Sequence, residues 1–214
     1  MELDEADTIS QELSTLRWVI EKVKNECDPN FLFYFFSSCS VYGRQENLTN
    51  PFKEEANTQI TTRYSELKIK SEELLKKEDK NRFKIFRLST LYGRGDFQRN
   101  DILINNLIED IKEGKSVEIW DPEAHRPHLH IDDACELLFG LINTPYKDKI
   151  LNLGFDELNI TKRELVGEIE KVILKDKNKN YLLFLNSPNN PSGQICENLG
   201  EISEIANKYN LIIL

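Results

Sequence analysis

The sequence predicts an α/β protein with a largely parallel sheet, because short apolar segments alternate with longer segments of helical periodicity. FLFYFF at residues 31–36 and FKIFRL at residues 83–88 have the length and apolar character of strands buried on both faces. Residues 7–26 carry apolar side chains every three or four positions, which predicts an amphipathic helix. Helices are the usual connections between parallel strands, so this order favours a parallel sheet.

The remaining segments continue the alternation. TKRE at residues 161–164 has the pattern of a capping box and predicts a helix that reaches about residue 174. The other predicted helices cover residues 61–77, 100–113 and 132–143, and the other predicted strands are SVEIW at residues 116–120 and ILNLG at residues 150–154.

A change in composition near residue 175 predicts a domain boundary. Residues 1–175 form the main predicted domain, and the polar residues 176–180 are a candidate linker. Residues 181–214 then read as a strand, an Asn- and Pro-rich turn, a helix and a final strand. We therefore expect a short β-α-β appendage at the C-terminus.

Composition narrows the classes of partner. The chain has 214 residues and a formal net charge of -9, which would repel the phosphates of nucleic acid or of an anionic membrane. No apolar segment is long enough to span a bilayer, and the acidic first residues do not resemble a signal peptide. The four cysteines are widely spaced, as in reduced proteins. We expect a cytoplasmic protein without nucleic-acid or membrane partners.

A tyrosine and a lysine stand four positions apart in YSELK, so Tyr64 and Lys68 share one face of the predicted helix. Free tyrosine, with a pKa of about 10, is a poor base at neutral pH. A nearby ammonium lowers that pKa, and the tyrosine can then exchange a proton with a substrate hydroxyl. The alternative interpretation is an ordinary solvated helix face, which explains most isolated matches to this spacing.

The first predicted strand strengthens the catalytic interpretation. FLFYFF runs directly into SSCSVYG at residues 37–43, which places small hydroxyl residues just beyond the carboxyl end of a strand. Ligands of open α/β sheets bind at that end. A serine there can hold the substrate oxygen, and the hydride must pass to a cofactor because no side chain accepts one.

Four motifs in this order resemble one family. FFSSCSVYG, YSELK, RLSTLYGRG and RPHLHIDDA make residues 31–175 similar to the later two-thirds of an extended short-chain dehydrogenase/reductase, of the NAD-dependent nucleotide-sugar epimerase/dehydratase family. The resemblance implies a Rossmann-like, doubly wound parallel sheet with the family's C-terminal substrate-binding region. It also implies NAD(P) as cofactor and a nucleotide sugar as substrate.

The resemblance assigns roles to single residues. It implies that Tyr64 is the catalytic acid/base and that Lys68 is its partner, both of them in contact with the cofactor. Ser38, three residues before the valine of VYG, matches the family's catalytic serine or threonine. Arg126 matches an arginine that binds the diphosphate of the substrate, and Thr90 of RLSTLYG is a further candidate for substrate binding.

Two features of the motifs refine the expected reaction. Cys39 and Ser40 stand where dehydratases of the family usually carry Asp-Glu, which favours epimerase, reductase or decarboxylase-like chemistry over 4,6-dehydration. The histidines of HRPHLH could suggest a metal, and His128 and His130 would share a strand face. In the family this segment is the beginning of a strand. A metal site needs three or four converging ligands, so we expect no metal.

The family also has a glycine-rich turn that holds the cofactor pyrophosphate, and nothing similar precedes Tyr64. All nine glycines lie at position 43 or later. We therefore expect this chain alone to bind NAD poorly, and a non-catalytic remnant or sugar-nucleotide-binding module is the alternative function. An exposed sheet edge would also favour self-association or a homodimer.

The C-terminal segment resembles a different enzyme. SPNNPSG at residues 187–193 is similar to the NPxNPTG turn of fold-type I, pyridoxal-phosphate-dependent aminotransferases. That resemblance implies a fragment in which Asn190 would lie beside the cofactor's phenolic oxygen. An ordinary turn between a strand and a helix is the alternative. Because the sequence has no matching Schiff-base lysine region, pyridoxal phosphate is expected only if this fragment were completed.

Overall fold

The computed structural model confirms the α/β class. It describes residues 5–43, 52–93, 102–113, 115, 118–143 and 146–174. Within these residues the helices are α1 (Glu5–Glu26), α2 (Arg63–Lys76), α3 (Leu103–Lys112), α4 (Ile131–Asn143) and α5 (Lys162–Leu174). The strands are β1 (Phe33–Ser38), β2 (Phe83–Leu88), β3 (Thr90–Tyr92), β4 (His125–His130), β5 (Ile150–Leu153) and β6 (Asn159–Thr161). Cys39–Tyr42 and Asp156–Leu158 are short 3-10 helices.

The main sheet is parallel and Rossmann-like. Its strand order is β1-β2-β5, and β2 pairs in parallel with both neighbours. Ser38 is the register partner of Leu88, and Leu88 is in turn the partner of Leu153. The carboxyl ends of all three strands therefore meet at one edge, which is the ligand-binding edge of open α/β sheets.

The core of this sheet lies beneath α1 and α2. Alternate residues of a strand face opposite sides, and one side of β1 and β2 carries Phe33, Phe35, Phe83 and Ile85. These side chains cluster with Leu16, Ile20 and Val23 of α1 and with Leu75 of α2. The helical spacing of the apolar residues in α1 is thus explained by the sheet face that they cover.

The chain divides into two compact units. One comprises Met1–Leu91 and Pro127–Leu158, and the other comprises Tyr92–Arg126 and Asn159–Leu214. The first unit contains the parallel sheet. In the second, apolar side chains of α3 and α5 form a core around Leu107 and Leu165. The short strands β3, β4 and β6 form a further sheet in the order β3-β4-β6.

The first predicted strand is only partly correct. We expected residues 31–36 to be buried on both faces, but β1 begins at Phe33, and Phe31 and Leu32 remain 45% and 41% exposed. Phe36 is 47% exposed. The reason is the alternation of the strand: α1 and α2 cover the face that carries Phe33 and Phe35, whereas Phe36 points to the opposite face.

A second prediction is wrong at SVEIW. Within the described part of this segment, residues 118–120, no strand is formed. Ile119 is buried in the core of the second unit, but Trp120 is 68% exposed and Asp121 adopts a φ of 55°. Asp121, with its positive φ, lies one residue past the predicted segment, where the chain turns. The expected linker at 176–180 and the appendage at 181–214 lie outside the described residues.

Candidate active site

The tyrosine of YSELK lies in the first turn of α2, as the sequence predicted. Thr62 caps this helix: its side chain accepts a hydrogen bond from the Ser65 amide at 3.1 Å. In return, the Ser65 hydroxyl accepts one from the Thr62 amide at 2.9 Å, which completes a capping box. The box satisfies amides that would otherwise lack partners and so fixes the turn that carries Tyr64.

Lys68 is held between the sheet and Tyr64. Its Nζ donates a hydrogen bond of 2.8 Å to the carbonyl oxygen of Phe36 and lies 5.0 Å from the centre of the Phe35 ring. The same Nζ lies 5.5 Å from the centre of the Tyr64 ring. Burial lowers the pKa of Lys68, and the charge of Glu12 acts in the opposite direction. The predicted proximity of the lysine and the tyrosine is therefore present.

Tyr64 is open to solvent, with 54% of its surface exposed. A tyrosine that exchanges a proton with a substrate must be accessible from outside the protein. The ring of Tyr64 is thus both exposed to solvent and next to the Lys68 cation.

Ser38 ends β1 and starts the next turn. It is half-buried and caps the 3-10 helix Cys39–Tyr42, with its Oγ accepting a hydrogen bond of 3.2 Å from the Ser40 amide. Gly43 ends the turn with a φ of 72°, and a Cβ there would come within 2.8 Å of the Gln59 Cβ. Only glycine fits that position without strain, which explains the glycine of VYG.

The remaining predicted site residues are Thr90, Arg126 and Asn190. Thr90 begins β3, two residues beyond the end of β2, so it lies near the same edge of the sheet as Ser38. Arg126 is exposed and lies in β4, within the second unit. Asn190 lies outside the described residues. The structure thus brings Tyr64 and Lys68 together at the strand that ends in Ser38.

A buried polar network was missed by the sequence analysis. Glu72 of α2 and Arg87 of β2 form an ion pair of 2.6 Å, and both side chains are almost fully buried. Burial alone would raise the pKa of Glu72, but hydrogen bonds from Arg87 and Ser37 outweigh it and lower the pKa. Two signals were available: a basic residue inside an apolar strand, and an acid four positions beyond Lys68.

Across the described residues, no group of three or more His, Cys, Asp or Glu side chains is placed to hold a metal ion. None of the described helices is both long and apolar enough to cross a bilayer.

Solved structures with the same fold include the following three. A UDP-glucuronic acid 4-epimerase from Bacillus cereus, in complex with UDP-glucuronic acid and NAD, is 22% identical, with a TM-score of 0.67 over 81% of this chain and 54% of its own. A dTDP-glucose 4,6-dehydratase from Bacillus anthracis str. Ames, in complex with NAD, is 20% identical, with a TM-score of 0.68 over 87% and 59%. RMD from Pseudomonas aeruginosa, complexed with NADPH, is 19% identical, with a TM-score of 0.69 over 86% and 62%.

These likenesses establish the fold. The chain spans between 54% and 62% of the length of these three structures. A family model, described as the NAD dependent epimerase/dehydratase family, matches residues 3–154, which is more than half of the sequence. This chain therefore belongs to the NAD-dependent epimerase/dehydratase family.

Proposed function

We propose that this chain carries the proton-transfer site of an NAD-dependent oxidoreductase that acts on nucleotide sugars. The observation that carries the proposal is the position of Lys68, whose Nζ is anchored on the Phe36 carbonyl and lies 5.5 Å from the centre of the Tyr64 ring. In this proposal Tyr64 takes a proton from a sugar hydroxyl and returns it, with the Lys68 ammonium beside its ring.

Ser38 has a second role in this proposal. Its Oγ accepts a hydrogen bond from the Ser40 amide, and its hydroxyl hydrogen can be donated to the sugar oxygen. Such a hydrogen bond orients the hydroxyl that loses its proton to Tyr64. Ser38 is the last residue of β1, and Lys68 is hydrogen-bonded to Phe36 of the same strand. The backbone of β1 therefore positions both side chains.

Tyr64 and Lys68 also fit the ribose of a dinucleotide. Among the described residues, Lys68 donates one hydrogen bond, and the other N–H groups of its ammonium can be donated to ribose hydroxyls. The exposed Tyr64 hydroxyl can approach the same ribose. NAD, when bound, supplies the hydride acceptor that side chains lack. The part of this chain in that chemistry is to bind the ribose and to move the proton at the Tyr64 oxygen.

The proposal of a nucleotide sugar as substrate is supported by the family and by two further side chains, Arg126 and Thr90. Two of the solved structures carry the names of UDP-glucuronic acid and dTDP-glucose enzymes. A nucleotide sugar contains a diphosphate, which suits the fork of donors on an arginine such as Arg126. Thr90, near the sheet edge that bears Ser38, offers a hydroxyl to the sugar.

The test combines binding and turnover. Calorimetric titrations of the purified chain with NAD, UDP-glucuronic acid, UDP-glucose and dTDP-glucose measure binding, and NADH absorbance with product chromatography measures the reaction. Tyr64→Phe should lower turnover on the order of 100-fold or more while leaving binding of the sugar nucleotide nearly unchanged. Tyr34→Phe, a change of the same kind on β1 outside the site, is the matched control.

Each outcome has a defined meaning. Turnover that Tyr64→Phe leaves unchanged would contradict the proposed role of the tyrosine. Binding of a UDP-sugar without any turnover, in the presence of NAD, would instead identify the chain as a sugar-nucleotide-binding module.

A further inference from the structure

We infer that Glu72 and Arg87 are positioning residues, which hold Tyr64 and Lys68 of α2 in register with Ser38 of β1. This inference rests on the proposed function of those three residues. It concerns the buried ion pair beneath the site, and neither Glu72 nor Arg87 is expected to touch substrate or cofactor.

The spacing along α2 supports the inference. Tyr64, Lys68 and Glu72 follow one another at intervals of four residues, so they lie along one face of the helix. Glu72 lies about 6 Å farther along the helix than Lys68, because the rise is about 1.5 Å per residue. A rotation of α2 about its axis would therefore displace Glu72, Lys68 and Tyr64 together.

Hydrogen bonds from both neighbouring strands hold Glu72 in place and so oppose such a rotation. Its two carboxylate oxygens accept hydrogen bonds from the Arg87 guanidinium, at 2.9 Å from Nε and 2.6 Å from Nη2. The Ser37 hydroxyl donates a third hydrogen bond of 2.6 Å to the same carboxylate. Bidentate pairs of this kind constrain direction as well as distance. The face of α2 that carries the site is thus locked to β1 and β2.

The same guanidinium also fixes the turn that follows Ser38. Nη1 of Arg87 donates to the Tyr42 hydroxyl at 2.8 Å and to the Glu54 carbonyl at 2.9 Å. Tyr42 is the last residue of the 3-10 helix that Ser38 caps. Arg87 therefore connects the helix bearing Tyr64 and Lys68 with the turn bearing Ser38, and Ser37 is the direct neighbour of Ser38.

The effect expected from this arrangement is geometric. Glu72 and Arg87 have opposite charges at 2.6 Å, and both are almost fully buried, so the pair adds little net field at Tyr64. Positional errors of about 1 Å in a catalytic constellation lower rates strongly. Loss of the pair should consequently affect kcat more than KM, because substrate contacts remain available while their alignment is lost.

The test uses the full chain with Glu72→Gln, which keeps size and removes charge, and with Glu73→Gln as the matched control at an exposed neighbour. The first readout is the titration of the Lys68 amine, followed by NMR after isotopic dimethylation of lysines. Loss of the Glu72 charge would by itself move the Lys68 midpoint down, so a shift up towards ordinary lysine in Glu72→Gln reports the release of α2, and Glu73→Gln should leave the midpoint unchanged. The second readout is kcat, expected to fall about tenfold or more with little change in KM.

Ser37→Ala is the second variant, because it removes one hydrogen bond to Glu72 and leaves the ion pair in place. It keeps the inference testable if Glu72→Gln does not fold, and a smaller shift in the same direction is expected. A folded Glu72→Gln or Ser37→Ala protein with wild-type Lys68 titration and kcat would overturn the inference. Loss of the proposed function would appear differently, as Tyr64→Phe with unchanged turnover, and the Lys68 titration would still report on the position of α2.

Discussion

The Nζ of Lys68 lies 2.8 Å from the carbonyl oxygen of Phe36, so a cation of helix α2 is bonded to the strand that ends in Ser38. This one contact ties together the two elements from which the candidate site is built. The Lys68 side chain is half-buried, and this burial lowers its pKa from the ordinary 10.5.

The first prediction concerns the pH dependence of stability that this lysine causes. A lysine whose pKa is lowered by folding binds fewer protons in the folded than in the unfolded state, so its contribution to stability rises with pH between the lowered pKa and 10.5. Lys68→Met should lack this rise. Urea unfolding at neutral pH and near pH 10.5 measures it, and Lys77→Met, at an exposed position, is the control.

The second prediction concerns the acid limit of stability. Glu72 has a lowered pKa, so its contribution is present above the ordinary value of 4.5 and is lost as the pH falls through the lowered pKa. Glu72→Gln should flatten the stability curve in this acid range. At neutral pH, removal of one partner of a buried pair should cost about 3–5 kcal/mol. A loss in Glu73→Gln as large as that in Glu72→Gln would contradict the assignment.

The third prediction concerns the cap of α2. Thr62→Ala removes the acceptor of the Ser65 amide and should lower the free energy of unfolding by about 1 kcal/mol. Thr62→Ser retains the hydroxyl and should restore most of this loss. Thermal unfolding followed by circular dichroism distinguishes the two, and Thr61→Ala, at the exposed position before the cap, should be close to wild type.

The fourth prediction concerns the close approach of Gly154 to Ser89. A Cβ on Gly154 would lie 2.2 Å from the Ser89 Oγ, which donates a hydrogen bond of 2.8 Å to the Leu153 carbonyl. Gly154→Ala should force the hydroxyl away from that carbonyl and cost about 1–2 kcal/mol. In the double variant with Ser89→Ala the clash is gone. If urea unfolding gave additive losses for the two substitutions, this explanation would fail.

The local features of the fold were accessible from sequence. The Thr161–Glu164 capping box predicted the start of α5, and the Glu164 carboxylate does accept a hydrogen bond of 2.8 Å from the Thr161 amide. Tyr64 and Lys68 share a face for the same reason, because four residues complete about one helical turn. Patterns of this kind depend on neighbours along the chain, and so a single sequence contains them.

Features that depend on distant residues were not accessible. Arg87 and Glu72 are 15 residues apart, and the residues around each of them do not indicate that the two form a pair. The exposure of Phe36 likewise depends on which face of β1 the helices cover, and an apolar run has no preference between faces. Residues 118–120 of the strand predicted at SVEIW are not in a sheet, and an apolar pattern does not reveal the positive φ of Asp121 that follows them.

The sharing of one guanidinium also limits how these positions can change during evolution. Arg87 donates to the Glu72 carboxylate, the Tyr42 hydroxyl and the Glu54 backbone carbonyl at once, so a substitution of Glu72 or of Tyr42 leaves an N–H group of Arg87 without that partner. Their mutational effects should be epistatic, with strong non-additivity between contacting positions. Relatives that lose the arginine are then expected to have replaced the acid and the tyrosine as well, as one inherited set.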